Sequence, residues 1–270
     1  MTRLFERALI RLSPLETGED VPGFLQGLVT NDVKGALPVW SALLTAQGKV
    51  MFDFFVWPDA SGGLLIDCEA AQADALAKRL TLYRLRRKIG IERADGLGVF
   101  WQNHPGDGGA NDPRLAALGQ RWIAAVSEDD SPADEAWLAH RLSLGVAEGQ
   151  AELGNGEVLW LECNAVDLNG VSFTKGCYVG QEVVSRMQHR GTARTRAVMA
   201  RFDNAPEAGR EIMAGEKTVG RMGSSAGQAG IALVRLDRAA DARAAGLPLV
   251  AGGIEVTLVR PDWATFAMEP

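Results

Sequence analysis

The chain has 270 residues, 47% hydrophobic and 23% charged, the balance of a globular protein long enough for one large domain or two to three small ones. Its net charge of -6 argues against a general nucleic-acid binder, whose phosphate contacts demand a basic face. Three cysteines, Cys68, Cys163 and Cys177, are too few and too scattered for a disulfide framework and form no C-x-x-C pair, which points to a reducing compartment.

Residues 1–13 carry Arg3, Arg7 and Arg11 among apolar positions, without the long apolar core or small-residue cleavage site of a secretory signal. Glu6 leaves little room for a transit peptide, and no apolar run approaches the roughly 20 residues that span a bilayer. The expected location is the cytoplasm, or the mitochondrial matrix for a eukaryotic source, with no membrane partner. Apolar runs on either side of Gln47-Gly48 predict a hairpin of strands over 40–45 and 50–57. Residues 58–63 have loop chemistry, and 64–68 read as a further strand. From 69 to 89, Leu76, Leu80, Tyr83 and Ile89 recur at roughly helical spacing, with Lys78, Arg79, Arg86, Arg87 and Lys88 on the other face. Those cations suit a solvated face near a helix C-terminus, or a contact for an anionic partner.

Residues 104–112, with Pro105 and three glycines, read as an exposed loop. Residues 132–144 predict a helix whose apolar side carries Trp137, Leu138, Arg141 and Leu142. Around Arg194 and Thr195 the character changes. Short strand-like pieces over 197–202, 211–213, 217–222, 231–236 and 254–259, separated by glycine-rich turns, predict a small β-barrel domain over 195–270. The preceding part, 1–194, is expected to be a separate region of one or two subdomains.

The densest chemistry lies in Lys175-Gly176-Cys177-Tyr178-Val179-Gly180-Gln181-Glu182. Lys175 offers a positive charge that favours thiolate at Cys177, and Gly176 and Gly180 permit a positive φ or close approach. Two readings stand side by side: a tight turn holding a buried structural cysteine, and a presented functional thiol. A helix starting near Gln181 would place Cys177 by a positive helix end and carry His189 away from it, so a Cys-His dyad is not expected. A stable cluster needs about four cysteine ligands, and His104, His140 and His189 form no zinc grouping, so no permanent metal is expected. Cys177 could still be one ligand of a transient cluster completed by a partner. Arg186, His189, Arg190, Arg194 and Arg196 form a basic run that suits either solvent or a carboxylate-bearing ligand or protein.

With Asn169 to Phe173 before it and Arg186 to Gly191 after it, the octapeptide resembles the signature of the YgfZ/Iba57 family, the folate-binding-like proteins of iron-sulfur cluster assembly. Residues 24–33 and 45–50 are similar to segments that family shares with the aminomethyltransferase (T-protein) of glycine cleavage, as are 219–224 and 230–235. The resemblance implies an α+β, aminomethyltransferase-like folate-binding fold with a C-terminal small β-barrel. It implies an accessory protein, not a classical enzyme, for assembly, delivery or repair of 4Fe-4S clusters in enzymes that include tRNA-modifying ones. Iron-sulfur carriers and client enzymes are the implied partners, and tetrahydrofolate or a derivative the implied cofactor.

The same resemblance makes Cys177 the functional thiol and Asp53 the remnant of a catalytic aspartate pair. It makes Glu162 a pterin contact, with Lys175, Gly176, Tyr178, Gly180, Gln181, Glu182 and Arg190 around the ligand. Two positions depart from the pattern: Trp160 stands where a proline is usual, and Phe52 replaces one acid of the pair. The lost acid favours the non-transferase branch. A folate-dependent one-carbon transferase or demethylase is the alternative, and a scaffold recruiting cluster carriers through the basic run is a third.

Overall fold

A computed structural model of the chain describes residues 1–106, 108–191 and 193–268. After β1 (Thr2–Leu4), a first lobe contains β2 (Arg7–Pro14), α1 (Val21–Gln26), β3 (Val39–Leu44), β4 (Val50–Pro58), β5 (Leu64–Glu69), α2 (Ala73–Arg84) and β6 (Ile89–Arg93). Its strands pair antiparallel in the order β3-β4-β5-β2-β6, so the hairpin expected around Gln47-Gly48 is present. Both faces of this sheet are covered. On β4, Phe54 and Val56 pack with Leu25 of α1 and Leu76 and Leu80 of α2, while Phe55 and Trp57 point into a core shared with the other lobes. Burial on both sides is why the run over 50–57 is almost continuously apolar instead of alternating. By the same two-residue period, Arg7, Asp53 and Asp67 lie on the shared-core face.

The helix expected over 69–89 is shorter. It ends at Arg84, Leu85 turns with φ 51°, and Ile89 opens β6 opposite Pro14. The periodicity continued because Ile89 is buried for a strand's reason: it joins the core under the sheet. Nor do all the cations form a helix face. Arg87 sits beyond the helix, paired with Glu19 at 2.6 Å, and Lys88 lies 3.9 Å from Glu16.

The second lobe builds on β1. It contains β7 (Leu97–Gln102), β8 (Ala110–Asn111), β9 (Gln120–Ala125) and β10 (Ser131–Pro132), ordered β10-β1-β7-β9-β8, and α3 (Asp134–Ser143) with Trp137 and Leu142 buried. The segment expected as an exposed loop over 104–112 differs in its last part: β8 pairs with β9, and Asp112 is buried. Asp107 of that loop lies outside the described residues.

A connector follows with α4 (Gln150–Leu153), a 3-10 turn over Trp160–Cys163 and α5 (Gln181–Arg190). The third lobe contains β11 (Thr195–Arg201), β12 (Glu211–Ala214), β13 (Lys217–Ala226), β14 (Ala229–Arg235), α6 (Leu236–Ala244), β15 (Leu249–Ala251), β16 (Ile254–Glu255) and β17 (Thr257–Val259). Its sheet runs β16-β15-β12-β13-β14-β11-β17. The two edges, β16 and β17, are halves of one extended run bent at buried Val256, so the sheet returns on itself as a nearly closed barrel. Val198, Ile212, Val219, Met222 and Val234 fill it. Short β15 and α6 were not expected; α6 buries small alanines, Ala239 and Ala242, which carry little hydrophobic signal. The barrel docks through Asn164 Nδ2 on the Ala197 carbonyl (2.8 Å) and Trp263 Nε1 on the Leu144 carbonyl (2.7 Å).

Candidate functional site

The octapeptide is an irregular turn feeding α5. Gly180, at φ 83°, is the residue before the helix, and a Cβ there would lie 2.6 Å from the Thr45 carbonyl oxygen of the β3–β4 turn. Glycine is therefore needed for both conformation and contact. Gly176 has φ 97°, and its carbonyl accepts from Gln181 Nε2 at 3.1 Å, closing the turn on itself. Within this frame the side chains divide sharply. Tyr178 is buried and Lys175 half-buried, whereas Cys177 is exposed. The reading of Cys177 as a buried structural cysteine is thus overturned.

Lys175 is anchored to the first lobe. Its ammonium donates to the carbonyls of Gln26 (2.6 Å), the last residue of α1, and Val29 just beyond it, and lies 4.9 Å from the centre of the Tyr178 ring. Burial lowers its pKa to about 8 despite the nearby Asp32 carboxylate, and burial pushes the Tyr178 phenol up to about 12. The Lys175 ammonium is thus anchored on backbone carbonyls of the first lobe. Glu182 is exposed and pairs with Arg186 one helical turn on, at 2.5 Å.

The basic run is dispersed. α5 carries His189 and Arg190 to its far end, roughly 12 Å of helical rise from Gln181, and both are exposed. Arg196 belongs to β11, where its guanidinium donates to the Leu161 carbonyl (2.9 Å) and stacks over Phe266 (5.0 Å). Glu162 lies in the 3-10 turn, where its carboxylate accepts from the Leu159 amide at 3.2 Å.

Asp53 is buried beneath Trp40, accepting from the indole Nε1 (3.2 Å) and from the Gly149 amide (3.1 Å). Burial, reinforced by Glu148 and opposed by Arg7 and Arg114, pushes its carboxyl up to about 6. The space against it holds about 10 Å³, enough for one water at most. Cys177, Glu162 and Asp53 are therefore held by separate frames.

Sequence reasoning missed the largest polar feature, a buried charge network between the first two lobes. Arg7 binds Asp67 (2.6 Å); Arg121 reaches Asp67 (3.4 Å), Asp112 (3.2 Å) and Glu148 (3.3 Å); Arg114 binds Asp112 (2.8 Å) and Glu148 (2.7 Å). Three arginines balance three carboxylates. Arg114 and Arg121 also lie 4.7 and 4.5 Å from the centre of the Phe55 ring. Burial alone would raise Glu148, but Arg114, Arg121 and Arg7 outweigh it and hold the carboxyl well below the usual range. The available signal was a charge at alternate positions in otherwise apolar strands: Arg7, Asp53 and Asp67. Beside the network lies a cavity of about 390 Å³ lined from all three lobes, with Glu69, Asp134, Trp137 and Glu148 on its walls and Ser224 from the barrel.

Comparisons with known proteins resolve the family. Residues 194–266 match the model of the C-terminal β-barrel domain of CAF17. The chain is 33% identical to the human mitochondrial iron-sulfur cluster assembly factor IBA57, over 86% of this chain and 76% of that one. The mouse protein of the same name is 30% identical, over 97% and 84%. It belongs to the IBA57 family of iron-sulfur cluster assembly factors. The Neurospora crassa homologue, 34% identical, is longer, and the chain spans 52% of its length. These relatives are mitochondrial by name, in line with the location expected for a eukaryotic source. The aminomethyltransferase T of the Bartonella henselae glycine cleavage system shares the fold, with a TM-score of 0.69 at 11% identity over 97% of this chain and 85% of that one.

Within an IBA57-family chain the chemistry of the three thiols differs. Burial pushes Cys68 up to about 12 and Cys163 well above the ordinary thiol range, so neither is a ready thiolate. Among the described residues, no group of three or more His, Cys, Asp or Glu side chains is arranged to hold a metal ion. Cys177 is the exposed cysteine of the three.

Proposed function

We propose that the chain assists assembly, delivery or repair of 4Fe-4S clusters in a subset of enzymes, tRNA-modifying enzymes among them, through the Cys177 thiol. One observation carries the reading: a family member of this kind presents one exposed cysteine on a turn held by glycine geometry and buried anchors, while its other two cysteines are buried. One thiolate falls short of the roughly four ligands of a stable cluster, so the remaining ligands come from an iron-sulfur carrier or client, or from a small thiol. The protein then acts during transfer and does not store the cluster.

A tetrahydrofolate-type ligand belongs to the same proposal, and the cavity between the lobes supports it. A volume of about 390 Å³ is within the range of small-molecule sites, Trp137 supplies an aromatic wall, and Glu69 and Asp134 supply carboxylates for the donor edge of a pterin. These side chains fit the pterin end and would hold it there. The folate would supply one-carbon or redox chemistry when bound. Neither Glu162 nor the octapeptide lines this cavity.

The test is rescue. In cells lacking the protein, wild type is expected to restore a 4Fe-4S tRNA-modifying enzyme and Cys177→Ala is not. Equal rescue by both sinks the thiol; no rescue by either sinks the cluster role.

A further inference from the structure

The turn that presents Cys177 has no regular secondary structure between Gly170 and Gly180, so something other than ladder hydrogen bonds must fix it. Its ends are pinned: the Ser172 amide donates to the Thr30 carbonyl (3.0 Å), and Gly180 rests on Thr45. Between those pins Phe173, Thr174, Gly176 and Cys177 are exposed. Lys175 and Tyr178 turn inward on either side of the Gly176-Cys177 pair. Lys175 ties the turn to the Gln26 and Val29 carbonyls 149 and 146 residues away in sequence, and the Tyr178 ring lies against its ammonium. The Gln26 carbonyl is the last of α1, where a cation is favoured, and Val29 lies just beyond it.

We propose that Lys175 and Tyr178 form a clamp that positions Cys177, with Lys175 the positioning residue that ties the thiol-bearing turn to the first lobe. The importance of the clamp to function rests on the thiol reading above; its mechanical part does not. A lysine suits the task because an ammonium satisfies two carbonyls and a ring face at once while its stem spans the distance from an exposed turn. Among the described residues the buried Tyr178 hydroxyl has no hydrogen-bond partner, and it is the ring that lies against the Lys175 ammonium. Around Lys175 the charged neighbour is Asp32, whose carboxylate is itself held down by the Lys34 amide, so the clamp's main acceptors are backbone.

The experiment uses the purified full chain with a methanethiosulfonate nitroxide, which attaches to exposed Cys177 while Cys68 and Cys163 are buried. In wild type the label is expected to be motionally restricted. In Lys175→Met, well below its unfolding temperature, its rotational correlation time should fall about threefold or more, as for a freed loop. Tyr178→Leu, which removes the ring, should give a smaller fall and carries the comparison if Lys175→Met does not fold. A label already freely mobile in wild type, or unchanged in both variants, overturns the clamp. A purely structural role would lower the unfolding temperature and leave the label restricted, which also overturns it. Rescue by Cys177→Ala would sink the thiol reading while leaving the label result intact, so the two failures are distinguishable.

Discussion

The buried network between the first two lobes and the turn that presents Cys177 solve opposite problems with similar residue types. In the network, charges are withdrawn from water and spent on one another, with Arg121 touching three carboxylates. In the turn, one lysine is tied to backbone carbonyls while the thiol two residues on stays in solvent. The difference teaches that charge here fixes geometry in both places, while the group left available for chemistry is the thiol.

Breaking the network should have the largest effect on stability. Arg121→Met leaves Asp67, Asp112 and Glu148 short of a partner and should cost about 3–5 kcal/mol in urea unfolding, the penalty for an uncompensated buried charge. A loss below about 1 kcal/mol would mean that the network does not hold the lobes together.

Asp53 gives the next effect, and its sign is set by a folded pKa raised to about 6 from 3.8. Between those values the folded chain binds more protons than the unfolded one, so stability falls as pH rises through the window, by about 3 kcal/mol in all. Asp53→Asn should remove that slope. Its stability relative to wild type should therefore climb between pH 4 and pH 7; a pH-independent difference would show that Asp53 is not strained by burial.

At the turn the expected effects are smaller. Gly180→Ala, forced against the Thr45 carbonyl at φ 83°, should cost about 1–3 kcal/mol and free a label on Cys177. Cys177→Ala should change stability by less than about 0.5 kcal/mol, since the side chain is exposed, and yet abolish rescue of cluster enzymes. Were it to destabilise the fold by more than 2 kcal/mol, the contrast between the two regions would collapse.

The sequence reached far into the fold because much of it is local. The β3–β4 hairpin follows from apolar runs on either side of a Gln-Gly turn, α3 from helical periodicity and most of the barrel strands from short apolar pieces between glycine-rich turns, and the octapeptide was the most specific part of the family resemblance. It also placed the start of α5, because Gly180 is compatible with a left-handed residue before a helix. Periodicity alone could not end α2, since Ile89 is apolar for a strand's sake. The alanines of α6 carried too little hydrophobic contrast.

What only the tertiary structure decided is the fate of the charges and thiols. Arg7, Asp67, Asp112, Arg114, Arg121 and Glu148 are spread over more than half the chain, and nothing in their spacing says that they meet. Lys175 looked like a partner for its neighbour Cys177, yet its acceptors lie in α1 and just beyond it. The sequence by itself determined the β3–β4 hairpin, β5, α3 and most barrel strands, because those depend on neighbours within a few residues. Which cysteine faces water depends on ties that reach back 146 and 149 residues, and which charges neutralise each other depends on pairings such as Arg7 with Asp67, 60 residues apart; burial sets those energies.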